Sequence, residues 1–488
     1  MSETFLHLRK IGEKIVQTGN QSYLSGNRRD NFVEWSCDGD VLVVKNDRLG
    51  FRPLFYHQCE GEISVSPQIV KLIERGASVE IDDGAMSVFL RLGYFIGDDT
   101  PFKAIRALPP NSILTWRDGC FDLQNHGLPK HQKLEISFDK AVDYFAEIFG
   151  NAIKKMLPRS ENFVVPISGG RDSRHIFLEL LRQGAKPLEC VTLKHFPPRS
   201  DEDAKVAAEL CKIADVPHVL LEQPQKRLPN EFRKNLLTNF CADEHGWYLP
   251  MADYVEKFDC LYDGIAGDIF LEGLSGRIWT ENTVSLYQNH RFTELAENLL
   301  GAEAYLPQFL RTPQYERFNR RLAIERLTVE LEKHVDEPNP ISAFHFWNRT
   351  RREIALAPFS MLSASTKVFA PYLEPETIDF LMSLPLDLVK NRKLRETAIK
   401  KAYPKFASVE YENKNAAQKL DYKNLRHFGQ EVLSFITAQK SDFVKSSFIT
   451  KHILRGFLQP NHREAVTWFA PQILHLVQLE RFIQTNGL

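Results

Sequence analysis

Two short stretches combine glycine, hydroxyl and carboxylate in a way that could hold a metal-loaded phosphate. They are Ser168-Gly169-Gly170-Arg171-Asp172-Ser173 and Asp263-Gly264-Ile265-Ala266-Gly267-Asp268. In the first, glycine lets an anion approach the backbone amides at a helix start, and the serine hydroxyls add donors. Asp172 would repel bare phosphate but suits phosphate that carries Mg²⁺. In the second, Asp268 offers another carboxylate. If the two turns are neighbours, Asp172 and Asp268 can share one Mg²⁺ whose remaining positions go to phosphate oxygens and water. The plain alternatives are a βα turn in which Ser168 or Asp172 only caps a helix, and an Asp268 that does the same. A Walker loop is excluded because no Gly-Lys-Ser/Thr follows the glycines, and a nucleophile elbow because Pro166 stands where glycine is required.

The flanking residues specify the elements that must position these turns. Phe163-Val-Val-Pro-Ile167 reads as a short buried strand, and Ile176, Phe177, Leu180 and Leu181 recur at helical spacing until Gly184 stops the run. Residues 188–195 read as a second strand, 200–222 as helix, loop and third strand, and 258–262 as a strand leading into the second turn, with Asp268 starting a helix. Such βαβα alternation predicts a parallel sheet with ligand at the carboxyl ends of its strands. Ahead of it, 138–157 carries the apolar stripe of a helix and 127–136 reads as a linker. Residues 41–119 read as a small α+β domain, whereas 1–40 are weakly patterned. Residues 274–345 read as helical, and 468–483 as an amphipathic helix packed on the core.

At 488 residues the chain is long enough for two or more domains. Its 62 basic and 63 acidic residues leave a net charge of −1, so no global field favours nucleic acid or an anionic membrane. The seven cysteines are scattered, without CxxC spacing, as expected of reduced thiols. The N-terminal residues lack an apolar signal region, and no run approaches a membrane span. The expectation is a cytoplasmic protein without nucleic-acid or membrane partners.

The SGGRDS hexapeptide resembles the SGGxDS pyrophosphate loop of the asparagine synthetase family. Further resemblance runs through DRLGFRPLFYH, LGYFIGDDTPFKAI and LPPNS, the DGIAGD turn, APYLE and YENKNAAQ, over about residues 41–420. It implies an α/β fold, a parallel-sheet nucleotide-binding (adenine nucleotide α-hydrolase-like) synthetase domain over 136–488 with a helical C-terminal part. Before it, 1–130 would be a truncated α+β class II glutaminase-like domain. The family's glutaminase nucleophile is an N-terminal cysteine, but here residue 2 is Ser2 and the first cysteine is Cys37, so that domain is expected to be inactive. The chain also departs from the family at Ile265, where relatives carry a glutamate or a tyrosine, and at Lys367 and Phe369, on the acceptor-substrate side. Those departures disfavour asparagine synthesis from aspartate. In the shortened first domain the chain is similar to β-lactam synthetases and lasso-peptide cyclases.

What the resemblance implies is an ATP-dependent, amide-forming ligase with ATP and Mg²⁺ as cofactors and a small-molecule or peptide carboxylate as substrate. Ser168, Gly169, Gly170, Asp172 and Ser173 would hold pyrophosphate, with Gly264 in the facing turn. Adenine would pack near Val191, Thr192 and Leu193, the metal would sit on Asp172 and Asp268, and Lys414 would stabilise transition-state charge. The alternatives are a glutamine-hydrolysing asparagine synthetase and a non-catalytic ATP-binding relative.

Overall fold

The computed structural model describes residues 4–28, 31–196, 201–271, 280–303, 305–389, 393–412, 422–459 and 464–487. Ten strands lie before residue 126: β1 (Leu6–Ile11), β2 (Lys14–Gly19), β3 (Ser22–Gly26), β4 (Phe32–Asp38), β5 (Val41–Asn46), β6 (Phe55–Cys59), β7 (Glu62–Ser66), β8 (Arg106–Ala107), β9 (Ser112–Arg117) and β10 (Cys120–Asn125). They form two antiparallel sheets, ordered β2-β1-β7-β6-β8 and β10-β9-β5-β4-β3. Alternate residues such as Leu6, Leu8, Val33, Trp35, Leu114 and Trp116 meet in one core between them.

The described residues of the segment read as weakly patterned are therefore mostly strand, in β1 to β4. In β2 and β3 one face is solvated, and residues such as Lys14, Gln17, Thr18, Ser22 and Ser25 dilute the alternation that would have revealed them. The domain is accordingly richer in sheet than the expected α+β unit.

The second half is built on β11 (Phe163–Pro166), β12 (Glu189–Leu193), β13 (His218–Leu221), β14 (Cys260–Tyr262) and β15 (Lys367–Phe369). All pair in parallel, in the order β13-β12-β11-β14-β15. From β11 the chain steps outward to β13, then crosses back to β14 on the other side. The reversal falls between β11 and β14, where such sheets open a crevice beyond their strand ends. Helices α1 (Phe138–Lys155), α2 (Asp172–Arg182), α3 (Glu202–Ala214) and α4 (Lys393–Ala402) cover this sheet. Its core includes Phe145, Phe149, Val164, Val165, Phe177 and Leu261. The C-terminal helix, α5 (Glu464–Asn486), buries Ile473, Leu474, Val477 and Leu479 in a core that includes Phe89 and Phe102 from the first half and Phe428, Ile449 and Ile453 from the second. Among the described residues, no helix is long and apolar enough to cross a membrane.

One expectation fails after β14. Residues 265–271 are successive turns, held by Gly267 N–H to the Gly264 carbonyl (3.1 Å) and Leu271 N–H to the Asp268 carbonyl (3.0 Å), and within the described residues no helix starts at Asp268. Gly264, Ala266 and Gly267 lie close together, and Ala266 adopts a left-handed backbone (φ 69°), which interrupts helical winding.

The 127–136 linker is pinned rather than loose. Leu134 N–H donates to the Ser383 carbonyl at 2.9 Å, and His131 bridges Glu337 (3.2 Å) and Asp379 (3.1 Å). Burial alone would lower the His131 pKa, but the hydrogen bonds to Asp379 and Glu337 win and raise it to about 9, from 6.5. A folded-state pKa above the unfolded one gives stability that is full below pH 6.5 and disappears as pH rises through about 9. Replacing His131→Asn should therefore cost about 2 kcal/mol in acidic buffer. Urea unfolding of both proteins across this range should show the difference shrinking as His131 deprotonates.

Candidate functional site

The first glycine turn joins β11 to α2 and is closed by its own side chains. Ser168 N–H donates to Ser173 Oγ (3.0 Å), Gly170 N–H to Ser168 Oγ (3.2 Å), and the two hydroxyls lie 3.1 Å apart. The Gly169 amide donates to the Asp203 carboxylate at the start of α3. In α2 the His175 amide bonds back to the Arg171 carbonyl (2.9 Å). The amides of Asp172, Ser173 and Arg174 thus precede the helix's own ladder and form its positive end.

The second turn, after β14, presses directly on the first. A Cβ at Gly264 would stand 2.8 Å from Asp172 Cβ, and one at Gly267 would strike the Asp172 carboxylate and lie 2.9 Å from Tyr372 Cε2. Glycine at both positions is what lets the Asp172 carboxylate reach the β14 turn. There it forms an ion pair with Arg395 of α4, whose side chain is only 1 % exposed and whose Nη1 also donates to the Gly267 carbonyl at 3.0 Å. Burial, then the neighbouring Arg171, pulls the Arg395 pKa down to about 9, which leaves it charged at neutral pH.

Arginines also lock the segment that precedes Lys414. Arg174 donates to the carbonyls of Val409 (2.8 Å) and Glu410 (2.7 Å) and lies 4.0 Å over the Tyr411 ring, while Arg171 lies 4.5 Å from that ring and pairs with Glu396. Glu412 N–H donates to the Gly169 carbonyl at 3.1 Å. Lys414 itself lies outside the described residues.

Asp172 and Asp268 do come from adjacent strand ends, with Phe163 and Val164 of β11 paired to Cys260 and Leu261 of β14. Asp172 is partly buried, whereas Asp268 is exposed and lies in the field of Arg349. Among the described residues, no three His, Cys, Asp or Glu side chains form a metal cage. Two carboxylates still fit Mg²⁺ in chemistry, with phosphate oxygens completing the shell, provided that Asp172 is shared between metal and Arg395.

Val191, Thr192 and Leu193 end β12 beside the first turn. All three are buried, and the Thr192 hydroxyl donates to the Ile167 carbonyl at 2.7 Å. Ile265 is buried, with its amide on Asp263 Oδ1 at 2.8 Å. Burial raises the Asp263 carboxyl to about 6 against the pull of that amide, so the turn does contain a carboxyl that titrates near neutrality. Lys367 opens β15, at the end of the sheet opposite the turns, and Phe369 stacks on Tyr262 with ring centroids 5.1 Å apart. Sequence reasoning missed Arg395, Asp203 and the Tyr411 clamp, and it placed Asp263 in the second turn without giving it a role. Arg395 had a signal in the LRETAIKKAYP stretch, since a lone arginine in an otherwise apolar helix face needs a buried partner.

In the antiparallel half, burial first and Asp38 and Asp40 next push the Cys37 thiol up. Cys59 is pushed up by burial and Glu62. Neither thiol resembles an activated nucleophile. Ser2 lies outside the described residues.

Residues 9–126 match the family model of the glutamine amidotransferase domain, which is the extent of the two antiparallel sheets. No curated protein matches the chain.

The contact between the turns makes a sharp prediction. Gly267→Ala should push Asp172 off Arg395 and lower the thermal midpoint, since a buried charge left without its partner costs about 3 kcal/mol or more, while the circular-dichroism spectrum stays that of the parent. An unchanged midpoint would mean that the two turns do not press on each other.

Proposed function

We propose that the chain is an ATP-dependent ligase that activates a carboxylate as an acyl-adenylate, releases pyrophosphate and forms an amide. The observation that carries this reading is the meeting of two glycine turns at the reversal point of the parallel sheet, with Asp172 lodged against Gly264 and Gly267. That crevice is where open parallel sheets bind nucleotides. The positive end of α2 and the Ser168 and Ser173 hydroxyls would supply donors for pyrophosphate, and Gly169 and Gly170 would leave it room to approach the backbone. Asp172 and Asp268 would hold Mg²⁺, which supplies charge neutralisation for the phosphates.

The remaining roles belong to the chain's own groups. The carboxylate substrate attacks the α-phosphate, and the resulting mixed anhydride is opened by an amine. Val191, Thr192 and Leu193 would border adenine. Lys414 lies two residues beyond Glu412, which is tied to Gly169, and would offer its ammonium where negative charge develops. Asp263, raised to about 6, is a candidate acceptor for the amine's proton in place of the absent side chain at Ile265.

A second reading, in which glutamine supplies the nitrogen, is favoured by the match over residues 9–126. It lacks an activated cysteine among the described residues.

One assay separates the outcomes. Protein, MgATP and a panel of carboxylic acids should yield AMP and pyrophosphate, and the rate should fall at least about tenfold in Asp172→Asn, as expected when one of two carboxylates is lost. ADP as the product would refute adenylation. Glutamine present as the sole nitrogen source should leave glutamate undetected; its release would establish the second reading.

A Lys414→Met variant should bind ATP normally and turn over about 100-fold more slowly, as expected of a charge that acts mainly on the transition state. Equal losses in affinity and turnover would place Lys414 on the ground-state phosphates instead.

A further inference from the structure

We infer that the cleft between the edge of the antiparallel sandwich and the edge of the parallel sheet is a docking site for an extended peptide. The cleft has a volume of about 940 Å³ and is bordered by Tyr23, Leu24 and Ser25 of β3 on one side and by Lys367, Val368 and Phe369 of β15 on the other. Both are the last strands of their sheets. Among the described residues, β3 pairs only with β4 and β15 only with β14. A last strand presents backbone N–H and C=O groups on its outer side, and an extended chain can pair with them.

Two amide side chains say what kind of group belongs there. Asn31, at the start of the β4 hairpin arm, is 8 % exposed and lines the cleft, yet neither its Oδ1 nor its Nδ2 has a hydrogen-bond partner. Gln68 lines the same cleft with its Oε1 buried and equally without a partner. A buried polar group left without a partner is costly, so a ligand that satisfies these groups gains affinity from them. A carboxamide offers one donor and one acceptor side by side, which is the pattern of a peptide group itself.

Asn31 is also held in place. Its carbonyl accepts from Arg52 Nε at 3.0 Å, and the same guanidinium donates to Ser25 Oγ at 3.0 Å and lies 4.8 Å from the Phe359 ring centre. At the β15 edge Lys367 is exposed, a residue that discourages indiscriminate strand pairing. It selects a peptide with an acidic residue opposite β15. The cleft is lined by none of the residues of the two glycine turns, so this site stands independently of the ligase reading.

The test is selection of random decapeptides displayed on phage against the full chain, followed by anisotropy with the enriched peptides in synthetic form. Enriched sequences should carry an acidic residue. They should slow amide hydrogen exchange in residues 22–26 and 367–369 of the unaltered protein. They should bind at least about tenfold more weakly to an Asn31→Ala, Gln68→Ala variant, a loss of about 1.4 kcal/mol. No enrichment over a protein-free control would overturn the proposal. So would enriched peptides that protect other segments, an outcome that needs no variant and does not depend on its folding.

Discussion

The Asp172 carboxylate is held in a space that only two glycines leave open, against a guanidinium that has no access to water. An isolated buried charge of either sign would be costly by several kcal/mol, and removing one partner of such a pair is worse than never having built it. Arg395 and Asp172 therefore fix each other, and through the Gly267 carbonyl they fix the β14 turn as well. That single contact ties α2, the β14 turn and α4 into one unit, although Asp172 and Arg395 lie more than 200 residues apart in the chain. It also sets the electrostatics of the crevice. Asp172 is already neutralised, so a cation arriving there competes with an arginine, and an anion arriving there meets the Arg171 and Arg395 guanidiniums and the α2 dipole together.

Packing behind the turn keeps this arrangement in register. His175 stacks on Phe149 at 3.8 Å between ring centroids, and its Nδ1 lies 3.2 Å from the Tyr372 hydroxyl. Burial lowers the His175 pKa to about 3, so the ring is neutral and serves as an aromatic spacer rather than a base. Tyr372 in turn abuts Gly267. Any movement of Tyr372 is thus transmitted to α2 through His175 and to the β14 turn through Gly267. On the next turn of the chain, Glu374 spends its carboxylate on capping Glu376 and Thr377 amides and on Lys155, which anchors the loop but takes it out of the chemistry.

The parallel sheet was legible in the sequence because buried strands such as Phe163–Pro166 and Cys260–Tyr262 are short apolar runs followed by glycine turns. Whether those two strands are neighbours stayed an open condition in the sequence, and the pairing of β11 with β14 decides it. The ten antiparallel strands were only partly so, because β2 and β3 have a solvated face and no strong apolar alternation. What no linear pattern contained was the origin of the charges. Arg395, Asp203 and Tyr411 reach the turn from distant segments, and an arginine in sequence looks the same whether it is solvated or sealed against a carboxylate. The turns that stand where a helix was expected at Asp268 include a left-handed Ala266, a backbone choice that alanine rarely signals.

The antiparallel half has a structural role toward the parallel half that does not depend on glutamine chemistry. Its Gly97 amide donates to Asn348 Oδ1 at 2.8 Å, its Gly97 carbonyl accepts from Arg351 at 2.8 Å, and its Asp99 carbonyl accepts from Arg352. These partners lie on residues 346–354, which wind as a π-helix, a wide and rarely sustained form that needs outside support. Arg351 is lowered to about 10 by burial and by Arg352, so two like charges sit side by side in the interior. The carbonyls of the 97–99 loop, with Asp98 at 3.7 Å from Arg351, supply the negative ends that make this tolerable. The same helix carries Arg349, whose field reaches Asp268. Removing the first half would expose this stack of guanidiniums and withdraw the carbonyls that hold the π-helix.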